Sequence, residues 1–285
     1  MTTSAGGFCY KDYHSLYEER RKNWNPIPAE RLADDMYKNL LGPKCAVEHF
    51  RVVDFGHGAD GLFEARLANK VAEREASGDV TVWALDLLKL DTAGELTNTV
   101  PAGGIDSDHT NFHCHTDDCD FTDMTTVMAL HNERFKSVLF DAGVFCLSIS
   151  MFSDQLELGL LAAARIIKPS APIFIVLDVW KLGIRPVFDA SHREEITELW
   201  GVAFKKATGF TVTSTGIKGS GASKMVYLQL SNVDFDALDT LPEKLKGLTL
   251  KSLRDKIPEA LRTGPRPSID PLASPITKRA KMNRK

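Results

Sequence analysis

The 285 residues suffice for one large domain or two small ones, and a 43% hydrophobic content suits a body with its own core. A formal charge of −3 and a pI near 6.3 exclude a surface wrapped all round in nucleic acid, so any polyanion contact must lie in patches. Five scattered cysteines read as reduced thiols of an intracellular protein, and neither a secretory leader nor a membrane-spanning apolar run is evident, so no membrane partner is expected.

In chain order, residues 12–24 and 29–41 carry two short helical patterns separated by Pro26 and Pro28, which predicts a helical segment over 1–45. From Phe50 onward, short apolar runs at 50–55, 80–85, 112–115, 137–149 and 172–179 alternate with amphipathic stretches at 62–75 and 155–168. This alternation predicts an α/β domain over 46–235, with a mostly parallel sheet covered by helices on both faces. Residues 91–110, rich in Thr, Gly and Asp, predict an inserted loop. The runs 210–215 and 224–230 are joined by the glycine-rich 216–221, which predicts an antiparallel hairpin and hence an antiparallel last strand. A helical extension over 236–264 and a proline-dense, then basic, disordered tail over 265–285 follow.

Gly56-His57-Gly58-Ala59-Asp60-Gly61 follows a predicted strand and opens a predicted helix, the context that gives a G-x-G-x-x-G spacing meaning. A dinucleotide site uses such a turn to bring backbone amides against a pyrophosphate. A methyl-donor site uses it to approach the amino-acid part of S-adenosylmethionine. Asp54 and Asp60 would repel a pyrophosphate and suit an ammonium or sulfonium, which favours the methyl donor. Asp86, at the end of the next strand, suits ribose hydroxyls of either cofactor. The plain alternative is a strand–helix turn without ligand.

Several segments together resemble the ribosomal RNA-processing protein 8 methyltransferases. Tyr13-His14 with Trp24-Asn-Pro-Ile-Pro28 is similar to that family's entry segment, Val52-Val-Asp-Phe-Gly-His-Gly58 to its cofactor loop and Leu85-Asp86-Leu87 to its ribose-binding acid. Asp141-Ala-Gly-Val-Phe-Cys-Leu-Ser148 resembles its Phe-Cys-Leu-Ser strand, and Arg165-Ile-Ile-Lys-Pro169 a following helix end. The resemblance spans about residues 12–232. It implies a Rossmann-like class I methyltransferase sheet, S-adenosylmethionine as cofactor, and N1-methylation of an adenine in large-subunit ribosomal RNA of the pre-ribosome, in the nucleus and nucleolus.

The cofactor contacts expected are Asp54, Gly56, His57, Gly58, Asp86, Phe145 and Cys146, and the substrate contacts His14, Trp24 and Ser148; at the end of the strand 144–150 Phe145 could also stack on a base, with Ser148 or Ser150 hydrogen-bonding its edge. An acid contacting adenine is sought among Asp117, Asp118, Asp120 and Asp123, with Asp120 favoured. Phe145 and Leu147 could instead simply pack one face of a central strand, and Cys146 be a buried thiol. The chain departs from the family at His57, where Cys is usual, at Ser170-Ala171, where Gly-Gly is usual, and in a longer middle region. These departures favour the alternative of a catalytically silent assembly or RNA-binding factor; a nucleotide-dependent oxidoreductase rests on the glycine pattern alone.

His109, His113, Cys114, His115 and Cys119 match no standard zinc spacing, so no metal is expected. The strand 144–150 lacks an Asn/Asp-Pro-Pro-aromatic motif that would grip an exocyclic amine, which makes a ring nitrogen the better acceptor. The basic segment 278–285 reads as a nuclear-targeting or phosphate-contacting tail, or as a solubilising one.

Overall fold

β1 (His49–Phe55) is an interior strand, third in a seven-stranded sheet, and Val52 to Phe55, Asp54 among them, are buried on both of its faces. β2 (Asp79–Asp86) and β4 (Ala142–Cys146) flank it in parallel, with β3 (Phe112–Asp118) beyond β2 and β5 (Pro172–Asp178) beyond β4. β6 (Thr211–Lys218) forms the far edge, and β7 (Met225–Ser231) runs antiparallel between β5 and β6. The order is therefore β3-β2-β1-β4-β5-β7-β6. A dinucleotide-binding sheet has the order 3-2-1-4-5-6. The antiparallel strand inserted between the fifth and sixth makes this the Rossmann-like sheet of class I methyltransferases.

The computed structural model describes residues 24, 27–42, 48–58, 61–73, 78–86, 111–150, 154–179, 181–182, 190–219 and 224–257. The expected first helix apart from Trp24, the 91–110 loop and the basic tail lie outside them.

On one face, α1 (Pro28–Met36) opens with proline in its first turn, where the missing N–H costs nothing, and runs on into a wider π-type turn over Tyr37–Leu41. α2 (Leu62–Ala72) lies beside it and buries Phe63, Leu67 and Val71 with Val52, Val82 and Val144 of the sheet. The other face carries α3 (Met124–Phe135), α4 (Leu156–Ile166) and α5 (Ala190–Thr208). Aromatic rings dominate there: Phe55 stacks on Phe145 at 4.5 Å, and Trp83 on Phe140 at 5.7 Å. Three short helices, α6 (Phe235–Leu238), α7 (Leu241–Leu245) and α8 (Leu250–Arg254), add Leu241, Leu245 and Leu253 to this core.

The sequence pattern omits α3 and α5. α3 buries only Val127 and His131 and so shows no apolar stripe; its start is set by Asp123, whose carboxylate accepts the Thr125 and Thr126 amides. The run 137–149 is a shorter strand than expected, because Val138 is exposed and Leu147 turns into the left-handed region (φ 65°). The segment 216–221 is not simply the hairpin turn: β6 continues to Lys218, with Gly216 paired to Tyr227 inside the ladder.

Candidate functional site

β1 and β4 are neighbours whose chains lead to opposite halves of the sheet, β1 toward β2 and β4 toward β5. In open α/β sheets the crevice outside the carboxyl ends of the strands at such a reversal is where ligands bind. Three sequence segments meet there: the glycine turn after β1, the end of β2, and the turn after β4.

The glycine turn uses left-handed backbone at Gly56 (φ 93°), Gly58 (φ 70°) and Gly61 (φ 52°). Gly56 N–H donates to the Leu85 carbonyl at 2.7 Å and Gly58 N–H to Asp86 Oδ2 at 2.9 Å, so the end of β2 shapes the loop. A Cβ placed on Gly56 would lie 2.5 Å from Ser148 Cβ, well inside contact distance. Glycine is therefore required twice at position 56, by its φ and by the turn after β4 that leans on it. That turn is itself strained at Leu147, a non-glycine residue in left-handed conformation whose amide is held by the Val176 carbonyl at 2.9 Å.

Beneath the loop lie two acids that the protein does not answer. Asp54 is 1% exposed and Glu64, from the first turn of α2, 5%; none of their four oxygens is paired with a donor group. Burial, then the neighbouring Glu64, raises the Asp54 pKa well above the ordinary carboxylate value. Burial also raises that of Glu64, with His57 acting in the opposite direction. The two side chains are within hydrogen-bonding reach of each other, but as two carboxylates they have only acceptors to offer. A proton on one of them supplies the missing donor.

Of the residues expected at the site, Asp54, Gly56, His57, Gly58, Asp86 and Ser148 are brought together. His57 is buried in the loop, with an unpaired Nδ1, and its charge bears on Glu64. Ser148 is also buried, and its unpaired Oγ lies 3.3 Å from where a Gly56 Cβ would sit, so it abuts the cofactor loop.

Phe145 corrects the expectation. It is 0% exposed and wedged among Phe55 and Phe121, so it packs the core and has no surface for a ligand. The strand alternates its side chains across the sheet and sends this one into the aromatic layer. Cys146, the last residue of β4, is half-buried on the opposite side, packed with the valine layer. Asp120 is exposed and caps its own turn, accepting the Thr122 amide at 2.9 Å and the Thr122 hydroxyl at 2.5 Å. Asp117 pairs with Arg134 and accepts Trp83 Nε1–H at 2.7 Å, and Asp123 caps α3, which leaves Asp120 the less committed of these three. Trp24 is half-buried against the α1 layer, and His14 lies outside the described residues.

Among the described residues no three His, Cys, Asp or Glu side chains gather to hold a metal ion. Burial pushes the Cys119 thiol up to about 12 and raises that of Cys114, so neither is an available nucleophile near neutral pH. No described helix is long and apolar enough to cross a membrane.

The residue missed in the sequence is Glu64. It lies three and four positions before Leu67 and Ala68, on the stripe of α2 that faces the sheet, and an acid on an apolar stripe was the available signal. A glutamate in a helix's first turn is ordinarily a partner of the helix dipole, which conceals it.

No family model and no curated protein matches this chain. Among solved structures it is similar to a magnesium protoporphyrin IX methyltransferase from Synechocystis PCC 6803 with bound S-adenosylmethionine, at 11% identity over 80% of this chain and 92% of that one, with a TM-score of 0.48. A putative hemolysin from Streptococcus thermophilus is 14% identical over 82% and 75%, with a TM-score of 0.46. A variant of a 16S ribosomal RNA adenine-1408 N1-methyltransferase from Catenulisporales acidiphilia is 14% identical over 71% and 91%, with a TM-score of 0.40. The fold assignment itself stands on the strand order and the antiparallel β7.

Proposed function

We propose that the chain is an S-adenosylmethionine-dependent methyltransferase acting on ribosomal RNA, with N1 of an adenine in the large-subunit RNA as acceptor and a role in nucleolar RNA processing. One observation carries the cofactor reading: uncompensated acids, Asp54 and Glu64, lie under a glycine turn at the reversal point of the sheet. A pyrophosphate would meet repulsion there, whereas an ammonium or sulfonium meets attraction strengthened by burial. The residues fit the group. Gly56 and Gly58 let backbone approach its amino-acid part, Asp86 stands at the ribose position, and Asp120 is the acid available to the adenine.

When bound, the cofactor supplies a methyl group on a positively charged sulfur. Transfer to a ring nitrogen is an in-line displacement that requires alignment more than a base. The chain's part is to hold that alignment, through a loop fixed by Leu85, Asp86 and Ser148. The RNA substrate rests on the sequence resemblance around Asp141–Ser148 and on the absence of an amine-gripping motif after β4.

A second reading, a catalytically silent assembly factor, is favoured by one specific feature: Asp86 is 2% exposed and already accepts the Gly58 amide. The departure at Ser170-Ala171 lends it no weight at the loop, because these residues precede β5 at the other end of the sheet. Calorimetric titration with S-adenosylmethionine and S-adenosylhomocysteine, with nucleoside mass analysis of ribosomal RNA from cells lacking the protein, separates the two. Binding together with loss of N1-methyladenosine supports the enzyme; no binding and unchanged RNA overturns it.

A further inference from the structure

We propose that Asp54 and Glu64 share one proton in the ligand-free protein and release it to solvent when a positively charged ligand enters the loop above them, which makes Glu64 a positioning residue for cofactor charge. The inference rests on the methyl-donor reading for the identity of the ligand, and on geometry for the proton. Asp54 comes from the end of β1 and Glu64 from the first turn of α2, the two elements that bracket the glycine turn. Both are more than nine-tenths buried, and all four oxygens lack a donor. Two ionised carboxylates so placed would be desolvated and repelled together, whereas one proton gives the pair a hydrogen bond and removes a buried charge.

Of the other described titratable groups around the pair, only His57 opposes the repulsion, and it acts on Glu64 without offering either carboxylate a hydrogen bond. Asp86 at the end of β2 is a further acid and adds to the repulsion. Cys114 on β3 faces both carboxylates and keeps its thiol proton, because burial and these acids oppose its ionisation. His57 in the loop is, among the described residues, the base whose charge bears on Glu64, and its Nδ1 is unpaired. A cation arriving above the loop offsets the second negative charge, and the shared proton then leaves to buffer.

Two measurements test this, one of them without ligand. Thermal unfolding of wild type and Glu64→Gln is followed from pH 5 to pH 8.5. The stability advantage of the variant grows as pH rises, because the folded wild-type pair retains a proton that the unfolded chain gives up; a pH-independent difference overturns the shared proton. Calorimetry is then run in buffers of different ionisation heat with S-adenosylmethionine, S-adenosylhomocysteine, which lacks the sulfonium, and methylthioadenosine, which lacks both charges. Wild type releases a proton on binding S-adenosylmethionine, with affinity rising by up to about tenfold per pH unit, the limit for one proton. Methylthioadenosine shows no such dependence, and Glu64→Gln loses the release. His57→Gln retains it, because the proton belongs to the carboxyl pair. Release that persists in Glu64→Gln but vanishes in His57→Gln overturns the assignment. Failure of all three ligands to bind wild type overturns the cofactor reading and the exchange with it, while the unfolding series decides the shared proton independently.

Discussion

The two ends of the sheet treat buried polar groups in opposite ways. At the amino ends of the parallel strands two prominent polar side chains are fully answered, and only the Nδ1 of His131, whose Nε2 meets the Val138 carbonyl, stands unpaired among the described residues there. Asp141 accepts the Arg51 amide and pairs with Lys168 at 2.5 Å, and Asn232 donates to the carbonyls of Ala164, Ile167 and Lys168 while its own oxygen accepts the Val233 amide. At the carboxyl ends Asp54, Glu64, His57 and Ser148 all carry buried atoms without a partner. Unpaired buried groups cost on the order of 1–3 kcal/mol each, so the carboxyl end stores a larger deficit than the amino end, where His131 Nδ1 is the unpaired atom. A fold holds such a deficit where a ligand removes it, and the contrast separates the region that stabilises the chain from the region that binds.

The contrast breaks most visibly if a core residue is mistaken for a site residue. Phe145→Ala should destabilise by about 3–5 kcal/mol through the cavity it leaves beside Phe55, and should alter ligand affinity only as far as folding is lost. Denaturant unfolding with calorimetry on the folded fraction checks this; a stable variant that fails to bind would return Phe145 to the site.

Gly56→Ala should destabilise by roughly 1–3 kcal/mol, since its Cβ collides with Ser148 in a left-handed conformation, and should abolish detectable cofactor binding. Thermal melts and titration of the same sample separate the two effects.

Asp54→Asn sharpens the difference between the ends. The folded-state pKa of Asp54 is raised, so its contribution is fully present below the ordinary carboxylate range and is lost as pH rises through the folded value. The asparagine variant has no such loss, and its ligand-free form should outlast wild type increasingly as pH rises from 5 toward 8, while cofactor affinity falls. At the amino end, Asp141→Asn should only destabilise. Melting curves across pH on both variants decide this, and equal slopes would erase the distinction.

The smallest expected effect lies at Ser170, which is left-handed (φ 60°) where the resembled family carries glycine. Ser170→Gly should raise stability by about 0.5–1 kcal/mol, less what is lost with the Ser170 Oγ to Asp234 contact at 3.4 Å, and leave cofactor affinity unchanged. A change in affinity would mean that the two ends are coupled.

The α/β class, the parallel strands around β1 and the antiparallel ending were legible because apolar runs and glycine-bounded turns are local signals with a fixed period. So was the loop Gly56–Gly58 with Asp86, since spacing along the chain decides what a strand–turn–helix presents. What local pattern could not show was the direction of individual side chains in a packed interior. Phe145 and Cys146 are adjacent in sequence, yet strand alternation sends one into the aromatic layer and the other to the opposite face. Asp117, Asp120 and Asp123 look alike in sequence, and only their neighbours Arg134, Thr122 and Thr125 assign them an ion pair, a turn and a helix cap. α3 was hidden because its start follows from the Asp123 cap rather than from an apolar stripe, whereas α5 does bury Ile196, Trp200, Ala203, Phe204 and Ala207 at helical spacing, a signal present in the sequence. Sequence alone determined which backbone turns and which acids this protein has. Tertiary structure decided that two of those acids, far apart in character along the chain, meet in the dark under one loop, because burial and proximity depend on how β1 and α2 pack and on nothing local to either.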